Sequence, residues 1–346
     1  MNKDRKQPTM ADVARLAGVS TMTVSRAFKA ESYINPATRD AILKAAAELG
    51  YVLDNTAAGL SSRKTGFVAV TIPSINNANF ADTIRGLTDG LRQTRLQVLL
   101  GYTNYSVDEE ERLVAQLLTR RPEAIVVTGG RHTEACRRML QNAAIPVIET
   151  WDMPSDPIDA VVGFSNAHAS ELLVEHLVST GRTRIAFVGG DVSDDTRGAD
   201  RRRGFVRKMK ELGFDASRLA SVGSPPISMR EGAQAFSDLI EKWPDTDAVA
   251  CVSDPAAFGV LTECQRRGIA VPDRIAICGF GAYEISEVCV PAITTVDPQC
   301  YEIGKNAAGL ILKAIDTDGE VSPLGTLALE SMLRIRSSTA KPSKRT

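Results

Sequence analysis

The 346-residue sequence predicts a small all-α head joined to an α/β body of two doubly wound, parallel-sheet lobes. Three observations carry that expectation. Short helical periods punctuated by Gly18, Asn35 and Gly50 fill residues 1–50, strand-then-helix alternation begins at Gly66, and the alternation restarts at Arg184.

The head comes first. Ala11, Val13, Ala14 and Ala17 recur at helical spacing, and Gly18 permits a sharp reversal with Val19 packed beneath it. Ser20 is a helix N-cap, after which Thr21, Met22 and Thr23 open a second helix with Val24 and Ala27 inward and Ser25 and Arg26 outward. Short polar side chains at a helix start on a rigid two-helix unit form a helix-turn-helix suited to the major groove, so duplex DNA is the expected partner. Asn35-Pro36 caps and starts a third helix, Ala37 to Leu49, with Ile42, Ala45, Ala46 and Leu49 on its apolar face. Gly50 ends it and Tyr51 closes the domain. Residues 54–64 are rich in Ala, Gly and Ser with little to bury, and read as a linker.

In the body, strands are expected at Phe67–Ile72, Gln97–Leu100, Ala124–Thr128 and Val147–Glu149, with helices near Asp82–Thr94 and Glu109–Thr119. The second series has strands at Arg184–Gly190, Ala248–Val252 and Ile275–Phe280. Two such series place their strand-end loops around a shared cleft, an architecture for binding that leaves the chemistry open.

Charge divides the same way. Residues 1–65 hold ten Lys and Arg against six Asp and Glu, about +4, while the remainder holds 31 against 36, although the whole chain carries only −1. A basic head on an acidic body confines attraction for nucleic acid to one end. The six cysteines are scattered without CxxC or zinc spacing and read as reduced, buried thiols. A polar N-terminus and the lack of a long apolar run favour a cytoplasmic protein with no membrane partner.

No Walker-type phosphate loop or GxSxG elbow is present, Gly189-Gly190 and Gly279-Phe280-Gly281 read as turn glycines, and no catalytic residue, metal or cofactor is expected. His168, Glu171 and Glu175 share a helical face better read as solvated than as ligating, and His132 falls in a polar loop with no role. Within Arg201-Arg202-Arg203, a solvated charge run opening a helix accounts for two arginines. The third either joins them or points into the cleft to fork onto a carboxylate. Ser253-Asp254 serves as a helix N-cap, as a recogniser of ligand hydroxyls, or as both.

Together these residues resemble the lactose/galactose-repressor family of bacterial transcription regulators, over nearly the whole chain. The most specific stretch is Asp12-Val-Ala, Ala17-Gly-Val-Ser and Thr23-Val-Ser-Arg26, followed by Thr38-Arg39 and Leu49-Gly-Tyr51. Val70-Thr-Ile-Pro73, Arg203-Gly-Phe205, Ser253-Asp254 and Pro291-Ala-Ile-Thr-Thr-Val296 agree with it in the body. The resemblance implies a periplasmic-binding-protein-like effector domain over residues 66–340, with one lobe of about 66–164 and 295–324 and another of about 165–294 and 325–340. A DNA-binding domain of residues 1–50, a hinge helix over 51–65 and a tail of 341–346 complete it.

The resemblance also implies roles. Thr21, Met22 and Arg26 take base-reading positions, and Thr9, Ser20, Thr23, Ser25, Asn35, Thr38 and Tyr51 also face DNA. Leu60 matches a leucine that wedges into the operator's central minor-groove step from a hinge that folds only on DNA. A homodimer on a near-palindromic operator follows, with a tetramer possible. Ser74, Phe80, Arg201, Ile227, Ser253, Asp254 and Gly281 are the implied effector contacts, Arg201 being the anchoring arginine. Met22 stands where many members carry a hydrogen-bonding side chain, and suits a thymine methyl. Gly281 stands where many sugar-binding members carry an acid, which lowers repulsion against an anion. Pro157-Ile-Asp, Val162-Gly-Phe and Asn166, with Thr21-Met-Thr-Val-Ser-Arg26, Gly279-Phe-Gly281 and Glu284, look most like gluconate-utilisation repressors, so gluconate or a related aldonate is the expected effector. The rivals are a solute-binding protein, which needs a signal peptide, and an α/β sugar-metabolising enzyme, which needs a nucleotide motif.

Overall fold

The computed structural model describes residues 7–28, 32–53, 65–190, 195–221, 223–316 and 325–340. The chain divides at Thr65 into a head and a body.

In the head, α1 (Met10–Ala17) begins with a capping box: Thr9 Oγ1 accepts from the Asp12 amide, and the Asp12 carboxylate accepts from the Thr9 amide at 3.0 Å. Gly18 ends it at φ 66°, the left-handed region. Ser20 caps α2 (Thr21–Ala27), and Asn35 caps α3 (Pro36–Leu49) by accepting from the Ala37 amide at 2.9 Å. Val13, Ala14, Val24, Ala27, Ile42, Ala45 and Ala46 form the small core. Ala11, expected on the apolar face, is exposed; Met10 takes its place, since 10, 13, 14 and 17 share one helical stripe.

The body contains two six-stranded sheets. The first uses β1 (Phe67–Ile72), β2 (Gln97–Tyr102), β3 (Ala124–Thr128), β4 (Val147–Thr150), β5 (Ala160–Gly163) and β11 (Gly325–Ala328), in the order β11-β5-β4-β3-β1-β2. The second uses β6 (Ile185–Val188), β7 (Leu219–Ala220), β8 (Ala248–Cys251), β9 (Ala276–Phe280), β10 (Thr294–Asp297) and β12 (Met332–Arg334), in the order β12-β10-β9-β8-β6-β7. Every pairing is parallel except β10 with β12. Near-continuous buried runs such as Val68–Ile72 and Ala248–Cys251 are what a sheet covered on both faces requires.

The first lobe carries α4 (Ala78–Leu91), α5 (Val107–Leu118), α6 (Glu134–Gln141) and α12 (Cys300–Asp316), which packs along α4. The second carries α7 (Asn166–Ser179), α8 (Thr196–Glu211), α9 (Met229–Lys242), α10 (Asp254–Arg266) and α11 (Glu284–Val288). Helix α4 starts four residues ahead of the expected Asp82 because Asn77 accepts from the Asn79 amide and caps it there.

The chain passes between lobes three times: from β5 to α7, from β10 to α12, and from β11 to β12. This corrects the expected lobe boundaries. Residues 295–297 belong to the second lobe, because β10 pairs with β9, and 325–328 belong to the first, because β11 pairs with β5. Strands β5, β7, β10, β11 and β12 had no strand expectation. They are two to four residues long, too short for a period, and every residue of β11 is exposed.

Candidate nucleic-acid interface and effector cleft

On the head, α2 presents Thr21, Met22 and Arg26 to solvent, Met22 at 65% exposure. Thr23 and Ser25 on the same helix are half-buried. Thr9, Ser20 and Asn35 are exposed, and each caps one helix, so the side chains expected at phosphates also fix where helices begin. Thr38 is half-buried. Tyr51 packs its ring edge-on against Phe28, centroids 6.1 Å apart, which makes it a support of the head's core as much as a surface group. Tyr33, a fully exposed aromatic ahead of α3, was not anticipated; an aromatic in a polar loop was its only sequence signal. Leu60 and the hinge segment 54–62 lie outside the described residues.

In the body, the cleft is built around α8. Gly204 lies against the Ala167 carbonyl of α7 with no room for a Cβ, and this close crossing seats the helix. One turn earlier, Arg201 Nη1 donates to Asn166 Oδ1 at 2.7 Å, and Asn166 Nδ2 donates to the Trp151 carbonyl at 2.9 Å. The guanidinium lies over the Phe280 ring, 4.3 Å from its centroid. Its Nε is buried with no hydrogen-bond partner among the described residues. Burial pulls the Arg201 pKa below its ordinary value, so this cation is short of compensation. Arg202 donates to Ser221 Oγ at 3.0 Å and Arg203 pairs with Asp200. One arginine of the three faces the cleft. The run sits in mid-helix, since α8 already starts at Thr196.

Arg197 is a cleft residue that sequence reasoning missed, though its signal was present: it precedes Arg201 by four residues and therefore shares its face. It is 6% exposed, lies near the Phe80 and Tyr105 rings at 5.9 and 6.0 Å, and reaches from the second lobe to the Thr128 carbonyl of the first at 3.4 Å. A second bridge between lobes runs from Tyr283, whose hydroxyl donates to Asn77 Oδ1 at 2.5 Å.

Gly281 has φ 120°, and a Cβ there would come 2.5 Å from Asn79 Nδ2. The position expected to lack an acid therefore has no space for one in this conformation. Phe80 is buried and packs edge-on against Trp151 at 4.9 Å. Ser74 is buried, its Oγ accepting from the Asn76 amide, and Ile227 is buried in the body's main core. Ser253 caps α10 by accepting from the Ala256 amide at 3.4 Å.

Asp254 is a correction. It is fully buried, its Oδ1 accepts from Thr295 Oγ1 at 2.7 Å and its Oδ2 from the Tyr283 amide at 2.8 Å, so neither oxygen faces a ligand. It positions Tyr283. Burial pushes its carboxyl up to about 6, and these hydrogen bonds offset only part of that.

Glu171 is held by Arg207 at 2.6 Å and Glu175 by Lys208 at 3.0 Å, so the His168 face is an ion-paired α7–α8 seam. His132 does not sit in a solvated loop: it is buried, with Nδ1 2.6 Å from Glu110 Oε2. All six cysteines are free, five of them buried and Cys289 partly so. Among the described residues no helix is long and apolar enough to cross a membrane.

Comparison with known proteins matches residues 9–54 to bacterial regulatory proteins of the lacI family and residues 174–339 to the periplasmic binding protein-like domain. The HTH-type transcriptional regulator GntR of Pseudomonas aeruginosa is 35% identical over 309 residues, covering 89% of this chain and 90% of that protein. The HTH-type transcriptional regulator IdnR of Escherichia coli is 31% identical, covering 89% and 92%. A crystal structure of a lacI-family transcriptional regulator from Silicibacter pomeroyi is 33% identical with a TM-score of 0.88, covering 96% and 99%.

Proposed function

Because the chain belongs to the lacI family of bacterial regulatory proteins, and is a DNA-binding transcriptional regulator rather than an enzyme, we propose that its operator affinity is set by a sugar acid, gluconate or a related aldonate. The observation that carries this reading is Arg201: a guanidinium stacked on Phe280, oriented by Asn166, with a buried Nε lacking a partner and Gly281 in place of an acid. A carboxylate there gains a charge-assisted bond in a desolvated site, and the flanking polar groups take the hydroxyls. Ser74, Phe80, Ile227 and Ser253 complete the proposed contacts, with Arg197 added.

The proposed operator contacts are Thr21, Met22 and Arg26 to bases, with Thr9, Ser20, Thr23, Ser25, Asn35, Thr38 and Tyr51 around them and Leu60 at the centre. Regulators of this family act as dimers, so the operator is a near-palindrome, and the proposed place of work is the cytoplasm, where that DNA is. Effector shifts the population between two lobe arrangements, and the arrangement that binds it better decides whether genes are induced or repressed. Titration calorimetry of the full chain with gluconate, followed by a mobility shift on the operator with and without it, tests the reading. Saturable binding with a changed operator affinity is expected; tight binding of a neutral sugar or a purine with none of gluconate overturns it.

A further inference from the structure

Away from the cleft, on the α5–α6 side of the first sheet, four chemistry-bearing side chains converge. Glu110 comes from α5, His132 from the loop after β3, Cys136 from the first turn of α6 and Glu149 from β4. The donor atoms of Glu110, His132 and Cys136 all lie within 4.8 Å of one another, a grouping that recurs nowhere else among the described residues. The His132 and Glu149 side chains are 1% exposed, Glu110 6%, and Cys136 is fully buried beside Val114, Val127 and Leu140. Glu149 Oε2 accepts from the Ile158 amide at 2.6 Å, but its Oε1 points at His132 Nε2 from 3.4 Å, and neither of those two buried atoms has a hydrogen bond. Polar atoms that deep are ordinarily satisfied.

We infer that Glu110, His132 and Cys136 form a site for a borderline-soft divalent cation of the zinc class, with Glu149 as its outer carboxylate. One oxygen, one imidazole nitrogen and one sulfur make a donor set that excludes magnesium and calcium and suits zinc or cobalt. Three protein donors leave one position of a tetrahedral shell for a water. His132 meets the ion through Nδ1 and donates Nε2–H to Glu149, the carboxylate–histidine–metal arrangement, which draws in the slack 3.4 Å contact. The ion displaces the proton shared between Nδ1 and Glu110 and the thiol proton of Cys136; both pass to buffer, and the charge of the buried group is unchanged.

The test uses the full chain, stripped by chelator and titrated with cobalt(II) chloride. One equivalent is expected, giving visible d–d bands and a near-ultraviolet thiolate-to-cobalt band that zinc(II) bleaches. Cys136→Ser removes the thiolate band, and Glu149→Gln retains it with affinity roughly 10- to 100-fold weaker. Circular dichroism reports folding. Should Cys136→Ser not fold, Glu110→Gln takes its place, with loss or marked weakening of the cobalt spectrum expected. No thiolate band in the folded wild type means a buried imidazolium ion pair only, and overturns the inference. So does a band that survives Cys136→Ser unchanged, or Glu110→Gln where that variant stands in.

Discussion

Arg201 is fixed from two sides, by Phe280 beneath its plane and Asn166 at one Nη, which leaves a buried Nε, without a partner among the described residues, as the group offered to the proposed effector. Arg201→Ala is expected to abolish the gluconate response while operator binding stays within about twofold, read by calorimetry and a mobility shift in parallel. An unchanged response removes Arg201 from the site. Asp254 has a different signature. Its folded carboxyl titrates near 6 against 3.8 unfolded, so ionisation is disfavoured in the fold. The contribution is fully present below pH 3.8 and is lost as pH rises through 6, by on the order of 3 kcal/mol. The difference in unfolding free energy between wild type and Asp254→Asn is therefore expected to move against the wild type between pH 4 and 6; a difference flat across that window refutes it. The two residues also mark how far the sequence could be read. The residues left open whether one arginine of the three turns inward, and it was the family resemblance, placing the anchoring arginine three residues before Gly204, that singled out Arg201. The commitment of Asp254 to Thr295 and Tyr283 was not legible, because those partners arrive from 41 and 29 residues away.

At the scale of elements, the helix caps were the most legible features. Ser20, Asn35 and Gly18 each act on residues two to four positions away and stand where punctuation alone puts them, whereas the Thr9 cap emerged only with the structure. Removing the Ser20 cap by Ser20→Ala is expected to cost about 1 kcal/mol of head stability and to weaken operator binding, measured by thermal unfolding and a mobility shift. Met22→Gln, on the exposed start of α2, is expected to change which base is preferred at one position of each half-site without changing head stability; a selection experiment returning the same sequence would reject that role. In the body, long buried strands were legible and short edge strands were not, since β11 and β12 owe their existence to partners elsewhere in the chain. Gly204 belongs here too. Gly204→Ala drives a Cβ into the Ala167 carbonyl, so α8 must shift; a stability loss of about 1–3 kcal/mol with weakened effector binding is expected from chemical denaturation and calorimetry.

For the whole molecule, the uneven charge sets how the regulator meets DNA. A head of about +4 on an acidic body attracts phosphate through the head alone. Operator affinity is accordingly expected to fall by about a thousandfold between 50 and 200 mM salt, with effector affinity changing far less because Arg201 is shielded; equal slopes would place the effector on the surface. The two-lobed plan was legible from the restart at Arg184, whereas the lobe boundaries were not, because the last crossings run through strands of three and four residues. Those three crossings also govern the order in which the molecule can be made. During synthesis the head is complete by Tyr51, and β6 to β10 are in place once Asp297 has emerged. The first lobe still lacks α12 and β11 at that point, although it begins a hundred residues earlier in the chain. On the ribosome its exposed α4 face waits for residues 300–328, and the β10 edge of the second lobe waits for β12 at residues 332–334, so neither lobe closes until its last strand has emerged and both depend on residues 325–334.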